Sequence, residues 1–221
     1  MVVLMPGVSV RPFRRRAGPT KGEVRREKVI GAAALLFREK GYHATSMQDI
    51  ANEVGLRKGS LYYHVSSKED LLFQIMDRGV SSALKELEDI CARDLPPMEK
   101  LRQAVNSLVG ALANQAERVS IFLQELRALP PDRVKIIANK RKRYELLFRG
   151  ILEEGIRQGL FQVSDAKVAT YGLLGMCNWI HRWYRDGGAM SPAQIGQTFS
   201  EIFLWGCLDA GPHKSRRRKT Q

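Results

Sequence analysis

Residues 57–64 read Arg-Lys-Gly-Ser-Leu-Tyr-Tyr-His, a run in which nearly every side chain can donate a hydrogen bond. Lys58, Ser60, Tyr62, Tyr63 and His64 suit phosphate oxygens, and lysine also suits the acceptor atoms on base edges. Arg57 could serve phosphate or guanine. Gly59 lets a backbone come close to its target, and Leu61 is the one apolar member. The chemistry this set can do is recognition of a polyanion with readable edges, which points to double-stranded DNA. A solvated loop is the bland alternative, and the density of donors directly after a glycine turn argues against it.

Such a run needs elements to hold it. Just upstream, Met47, Ile50, Ala51 and Val54 follow the spacing of one helical face. Gly55 stands where a tight turn between two helices needs left-handed backbone. Leu56 and Leu61 can close a small core from the far side, and Ala51 leaves room for close packing. The pattern predicts a helix-turn-helix that presents its second helix to a major groove. Thr45 opens the first helix and is expected to position phosphate, while Gln48 fits either DNA contact or a Thr45…Gln48 capping box. Behind the unit, Ser66-Ser67-Lys68-Glu69-Asp70 starts another helix, capped as Ser66…Glu69 or Ser67…Asp70. Lys68 opposes the helix dipole there at a cost of roughly 0.3–1 kcal/mol, which a bound DNA phosphate would reverse.

These residues resemble the TetR family of bacterial regulators. The likeness is carried by Ala33 and Phe37, Gly41-Tyr42, and then TSMQDIA, VGL, GSLYYHV and SKEDLL, over residues 25–75. It implies an all-α, nine-helix architecture, a homodimer, and a repressor that a small ligand releases from a palindromic operator. One position departs from the family pattern. Arg57 stands where a serine or similar cap is usual, so the recognition helix lacks a side-chain cap.

Charge is distributed in keeping with this reading. The chain of 221 residues carries a net +13. Residues 1–20 contribute +4 through Arg11, Arg14, Arg15 and Arg16. Residues 21–68 hold nine basic and five acidic residues, and the last ten add +5. Residues 69–211 balance 18 basic against 18 acidic side chains, as an ordinary globule would. That neutral middle disfavours a non-specific basic nucleic-acid-binding protein. Cys91, Cys177 and Cys207 have no metal-ligand spacing, and buried free thiols in a reducing cytoplasm fit them. No apolar run is long enough for a membrane span. No Ser-His-acid order, phosphate loop or paired carboxylates suggest an enzyme, so no catalytic residue, metal or cofactor is expected.

Four segments are expected: a disordered basic arm at 1–20, the DNA-binding domain at 21–66, a helical ligand-binding and dimerisation domain at 67–210, and a basic tail at 211–221. The helices expected span 21–40, the two short ones, 67–93, 98–116, 119–129, 132–158, 165–185 and 191–209. In the first, Val24, Val29, Ala33, Leu36 and Phe37 should face inward. The helix at 67–93 is expected to be the only continuous element joining the two halves. The last two helices offer more apolar surface than one thin layer can bury, which fits an intermolecular four-helix bundle.

Two stretches of the large domain carry ligand chemistry. Asn139-Lys140-Arg141-Lys142-Arg143 places four cations in a row on a helix, with Arg141 and Arg143 as candidates for phosphate. In Asn178-Trp179-Ile180-His181-Arg182-Trp183-Tyr184-Arg185, Trp179 lies on one face with Arg182 and Trp183 and could stack a planar group beside an anion. A solvated basic face and plain packing are the alternatives. QELRALP, KRKRYELLFRGILEEG and LLGMCNWIHRWYR look like a TetR branch whose effectors are CoA thioesters. That resemblance implies an acyl-CoA effector, with another hydrophobic or drug-like ligand as the alternative.

Overall fold

The computed structural model describes residues 20–114 and 125–207. Thr20 starts the first helix, α1 (Lys21–Lys40), through a reciprocal cap: its hydroxyl accepts from the Glu23 amide, and the Glu23 carboxylate accepts from the Thr20 amide at 2.7 Å. Val29, Ala33, Leu36 and Phe37 are buried as the spacing requires. Val24 is 42% exposed instead. It lies nine residues from Ala33, two and a half helical turns, and so faces the opposite side.

Then follow α2 (Met47–Glu53), α3 (Lys58–Tyr62) and the long α4 (Lys68–Cys91). Ser67 caps α4 by accepting from the Asp70 amide at 3.0 Å, which settles which serine starts it, and Asp70 turns back to the Ser66 amide. α5 (Pro97–Asn114) comes next. A 3-10 turn (Leu126–Ala128) is the described end of the helix expected at 119–129, the rest of which lies outside the described residues. α6 (Pro131–Arg157), α7 (Ala166–Asn178), α8 (Ile180–Trp183) and α9 (Pro192–Cys207) complete the order. The helix expected at 165–185 is thus stepped at Trp179, whose amide bonds back to Gly175 while its own carbonyl takes the Arg182 amide at 3.0 Å. The Arg11–Arg16 arm and the basic run Lys214 to Lys219 also lie outside the described residues. All regular elements among the described residues are helical.

Two apolar cores result. The first gathers Val29, Ala33, Phe37, Ile50, Ala51, Leu61, Leu71, Leu72 and Met76, and is closed by Leu129 and Ile137. The second joins α5, α6, α7, α8 and α9 around Leu101, Val105, Phe148, Leu152, Leu173 and Ile180, with Leu87 from α4. Two helices therefore enter both cores. α4 gives Leu72 to one and Leu87 to the other; α6 gives Ile137 to one and Phe148 to the other. This corrects the expectation of a single connecting helix. The pattern Leu126, Leu129, Val134, Ile137 is an apolar face aimed at the DNA-binding half.

α4 and α6 run in the same direction and are cross-linked by charge. Arg133 reaches Asp70 at 2.9 Å, Lys140 pairs with Asp77 and bonds Ser81 at 2.8 Å, and Arg143 reaches Glu88 at 2.7 Å. The exposed Arg143–Glu88 pair contributes at most about 1 kcal/mol, whereas each fully buried Leu or Phe contributes roughly 1.5–3 kcal/mol. Burial supplies the stability, and the pairs fix the axial register.

The C-terminal end of α6 depends on one small residue. A Cβ on Gly155 would lie 2.1 Å from the Phe161 ring, which is buried against it. Gly155→Ala should therefore lower unfolding stability by about 1–3 kcal/mol through overpacking. Denaturant titration checks this, and trimming the clash in Gly155→Ala/Phe161→Leu should recover part of the loss.

Candidate nucleic-acid interface and effector face

The turn at 41–46 organises the reading head. The carbonyls of Tyr42, His43 and Thr45 lie outside the helix ladders and take side-chain donors. Lys68 supplies them: its Nζ donates to Tyr42 O at 2.9 Å, Thr45 O at 2.8 Å and His43 O at 3.4 Å, and lies 4.5 Å from the Tyr42 ring centre. In this structure the ammonium is engaged with these carbonyls at the first turn of α4, where the sequence predicts a phosphate contact. Those carbonyls also offset the unfavourable dipole at the start of α4, for which the sequence suggests a phosphate.

Thr45 is corrected too. It is 1% exposed, and its hydroxyl donates to Gly41 O at 2.8 Å and Leu36 O at 3.2 Å, so it ties α1 to the turn and faces no solvent. Ser46 caps α2 in its place, in a reciprocal pair with Asp49 that holds the Asp49 carboxyl below its usual range. The signal was present one residue along, as Ser46-x-x-Asp49. Gln48 is exposed and donates to Asn52 at 2.8 Å, so the two polar side chains of α2 form a fixed pair on its outer face.

Gly55 takes φ +66, and the chain turns directly into α3. Arg57 holds the N-cap position without a side-chain hydrogen bond, as its type implies. Leu61 is wholly buried and anchors the helix. Arg57, Lys58, Gly59, Ser60 and Tyr62 are exposed, Tyr63 is 86% exposed, and His64 is half-buried at 5.3 Å from the Tyr63 ring. One short helix thus turns its single apolar side chain inward and its donors outward. That surface can bind a polyanion and read groove edges.

A second polar cluster lies where the two halves meet. Glu125 Oε2 stands 2.9 Å from His43 Nε2. Burial first, and then Glu69 and Glu125, push the neighbouring Tyr42 phenol up to about 12. Neither His43 nor Glu125 was anticipated, since nothing local marks a contact across so many residues.

In the large half, Arg182 lies over Trp179, its guanidinium 5.7 Å from the ring, and Trp183 meets Phe199 edge-on at 6.4 Å. The structure therefore brings Arg182 onto Trp179 and sets Trp183 against Phe199, and all of Trp179, Arg182 and Trp183 are exposed at the surface. The basic run of α6 behaves differently. Lys140 and Arg143 pair with α4, Lys142 pairs with Glu145 at 2.8 Å, and Arg141 is exposed on α6. Arg143, expected as a phosphate ligand, makes a helix–helix contact with Glu88 in this structure. Deeper in, burial pushes the Cys177 thiol up to about 12 and raises the Tyr144 phenol as well, so both stay neutral. α7 and α9 bury Leu173 and Ile195 and leave Ile202, Trp179 and Trp205 outward, Trp205 at 76% exposed.

An all-helical chain with a helix-turn-helix at one end and a larger helical body at the other defines a one-component regulator. Comparisons agree. Residues 29–75 match the model of bacterial regulatory proteins of the tetR family, and residues 94–207 match a tetracyclin repressor-like C-terminal domain. The HTH-type transcriptional repressor KstR2 of Mycobacterium tuberculosis is 29% identical over 189 residues, 85% of this chain and 94% of that protein. The TetR family regulator PfmR of Thermus thermophilus superimposes with a TM-score of 0.75 at 32% identity, covering 80% of this chain and 97% of that one. AibR, solved with isovaleryl coenzyme A and operator DNA, gives 0.72 at 28% identity over 80% of this chain and 97% of that one. The chain belongs to the TetR family; it is a ligand-responsive transcriptional repressor and not an enzyme. Among the described residues no helix is long and apolar enough to cross a membrane.

The Lys68 geometry separates two roles. Lys68→Met should cost about 1–3 kcal/mol of stability, in the range of charged hydrogen bonds lost to buried acceptors. It should leave the slope of log Kd against log salt unchanged, whereas loss of a phosphate contact would reduce that slope by about 0.9. Thermal unfolding and operator titration over a salt series measure both.

Proposed function

We propose that this repressor binds a palindromic operator as an isologous homodimer and is released by a CoA thioester. Lys58, Ser60 and Tyr62 face bases in this reading, and Arg57, Tyr63, His64 and Gln48 position phosphates, with Gly59 allowing close approach. What supports it is the outward set of donors on α3, fixed by a single buried leucine. Replacing Lys58 or Tyr62 by Ala should narrow the gap between operator and random DNA by about tenfold, in line with ~1–3 kcal/mol per base contact. Competition binding on both DNAs measures the ratio, and an equal loss on each would reassign the residue to the backbone.

The dimer rests on α7 and α9. Val168, Tyr171, Ile202 and Trp205 stay exposed beside Gly172, Gly175 and Gly206, and a groove of about 400 Å³ runs between the helices past Met176 and Phe203. An apolar, small-residue face of this kind suits a four-helix bundle with a second copy. Sedimentation with operator fragments should give two chains per half-site pair.

The ligand class rests on the Trp179, Arg182 and Trp183 face, together with the likeness to AibR, which was solved with an acyl-CoA. Stacked aromatic and guanidinium groups suit an adenine and its phosphates. Isovaleryl-CoA and longer acyl-CoAs should displace the wild-type protein from operator DNA. Arg182→Met and Trp183→Leu should bind operator normally and lose that release by at least tenfold in effector concentration. Wild-type protein that stays on DNA with every acyl-CoA, and leaves it with an uncharged apolar compound, would replace the CoA reading by a plain hydrophobic effector.

A further inference from the structure

We infer that Glu125 is a positioning residue for operator recognition: from the effector half it grips His43, in the turn that leads into α2, and so sets the stance of the reading head independently of α4. Three observations carry this. The Glu125 carboxylate is only 15% exposed while its partner His43 is 79% exposed, so the carboxylate has lost most of its water and faces His43 Nε2 at 2.9 Å. Directly after it, Leu126 packs on the first core and Leu129 is buried in it, so residues 125–129 cannot shift without moving the contact. On the other side, Lys68 holds the carbonyls of Tyr42, His43 and Thr45, and Ser46 caps α2 immediately after them.

The turn is thus held twice. α4 grips its backbone through Lys68, and the segment entering α6 grips its side chain through Glu125. Tyr42 lies between, hydrogen-bonded to Glu69 and close to Glu125, with its ring edge-on to His43 at 5.2 Å. Any rearrangement of the large half that moves residues 125–129 is transmitted to the start of α2 in one step. α2 in turn packs Ile50 and Ala51 against the core that seats Leu61 of α3.

The test needs no effector, and it rests on the DNA-binding reading alone. Full-length wild type, His43→Ala, Glu125→Ala and the double variant are titrated with a fragment that the wild type selects from random DNA. Each single change should shift Kd about fivefold, the lower end of allosteric couplings. The double variant should go no further than the larger single effect, and the salt slope should stay constant. Singles that add in the double, singles without effect, or a changed slope would overturn the inference. His43 lies at the surface, so its substitution preserves the fold, and Glu125→Gln replaces Glu125→Ala if the latter lowers the thermal midpoint. Failure of the wild type to select any DNA would overturn the regulator reading and this inference together.

Discussion

The two halves of this molecule are joined by the pairing of α4 with α6. The two helices run in the same direction, both enter both cores, and charged pairs at Asp70–Arg133, Asp77–Lys140 and Glu88–Arg143 lock their register. A single helix joining two domains can bend or rotate with little cost. Two helices held in register resist both. Coupling of about 1–3 kcal/mol is typical of allosteric proteins and is small beside the burial that this strut secures.

The head itself is assembled from weak parts. α2 and α3 are each too short to hold together alone, since isolated helices of fewer than about a dozen residues are marginal in water. Their order comes from outside: Ile50, Ala51 and Leu61 sit in a core built mainly by α1 and α4, Thr45 hangs from α1, and Lys68 ties down the intervening turn. Polar groups that the sequence offers as DNA contacts are in two cases consumed by this assembly. An exposed donor and a structural donor look alike in a sequence when the acceptors are backbone carbonyls.

That distinction explains which features were legible. The helix-turn-helix follows from spacing over a few residues, Met47 to Val54, Gly55 and Leu61, and local rules suffice. Family likeness extended it to the all-helical architecture. The roles of Lys68 and Arg143 depend on partners 23 and 55 residues away, and the His43–Glu125 contact spans 82. Apolar periodicity says nothing about such pairings. Val24 departs from expectation for a simpler reason, an angular offset that counting along the helix exposes. Trp179 and Arg182 meet, as i, i+3 neighbours do on any helix, whereas the Trp183–Phe199 contact depends on how α8 and α9 pack.

The uncapped, five-residue recognition helix has a further consequence. It is secured by the turn at Gly55 and by Leu56, Leu61 and Val65 in the first core, so the outward side chains at 57–60, 62 and 63 carry little duty in folding. Mutations there are nearly free of a stability penalty. A gene duplicate could drift through new operator sequences by changing those six positions while the rest of the chain stays as it is. The segment proposed to read the operator is thus one that the fold constrains little, which would make this regulator readily retargeted in evolution and a convenient scaffold for rewired transcription.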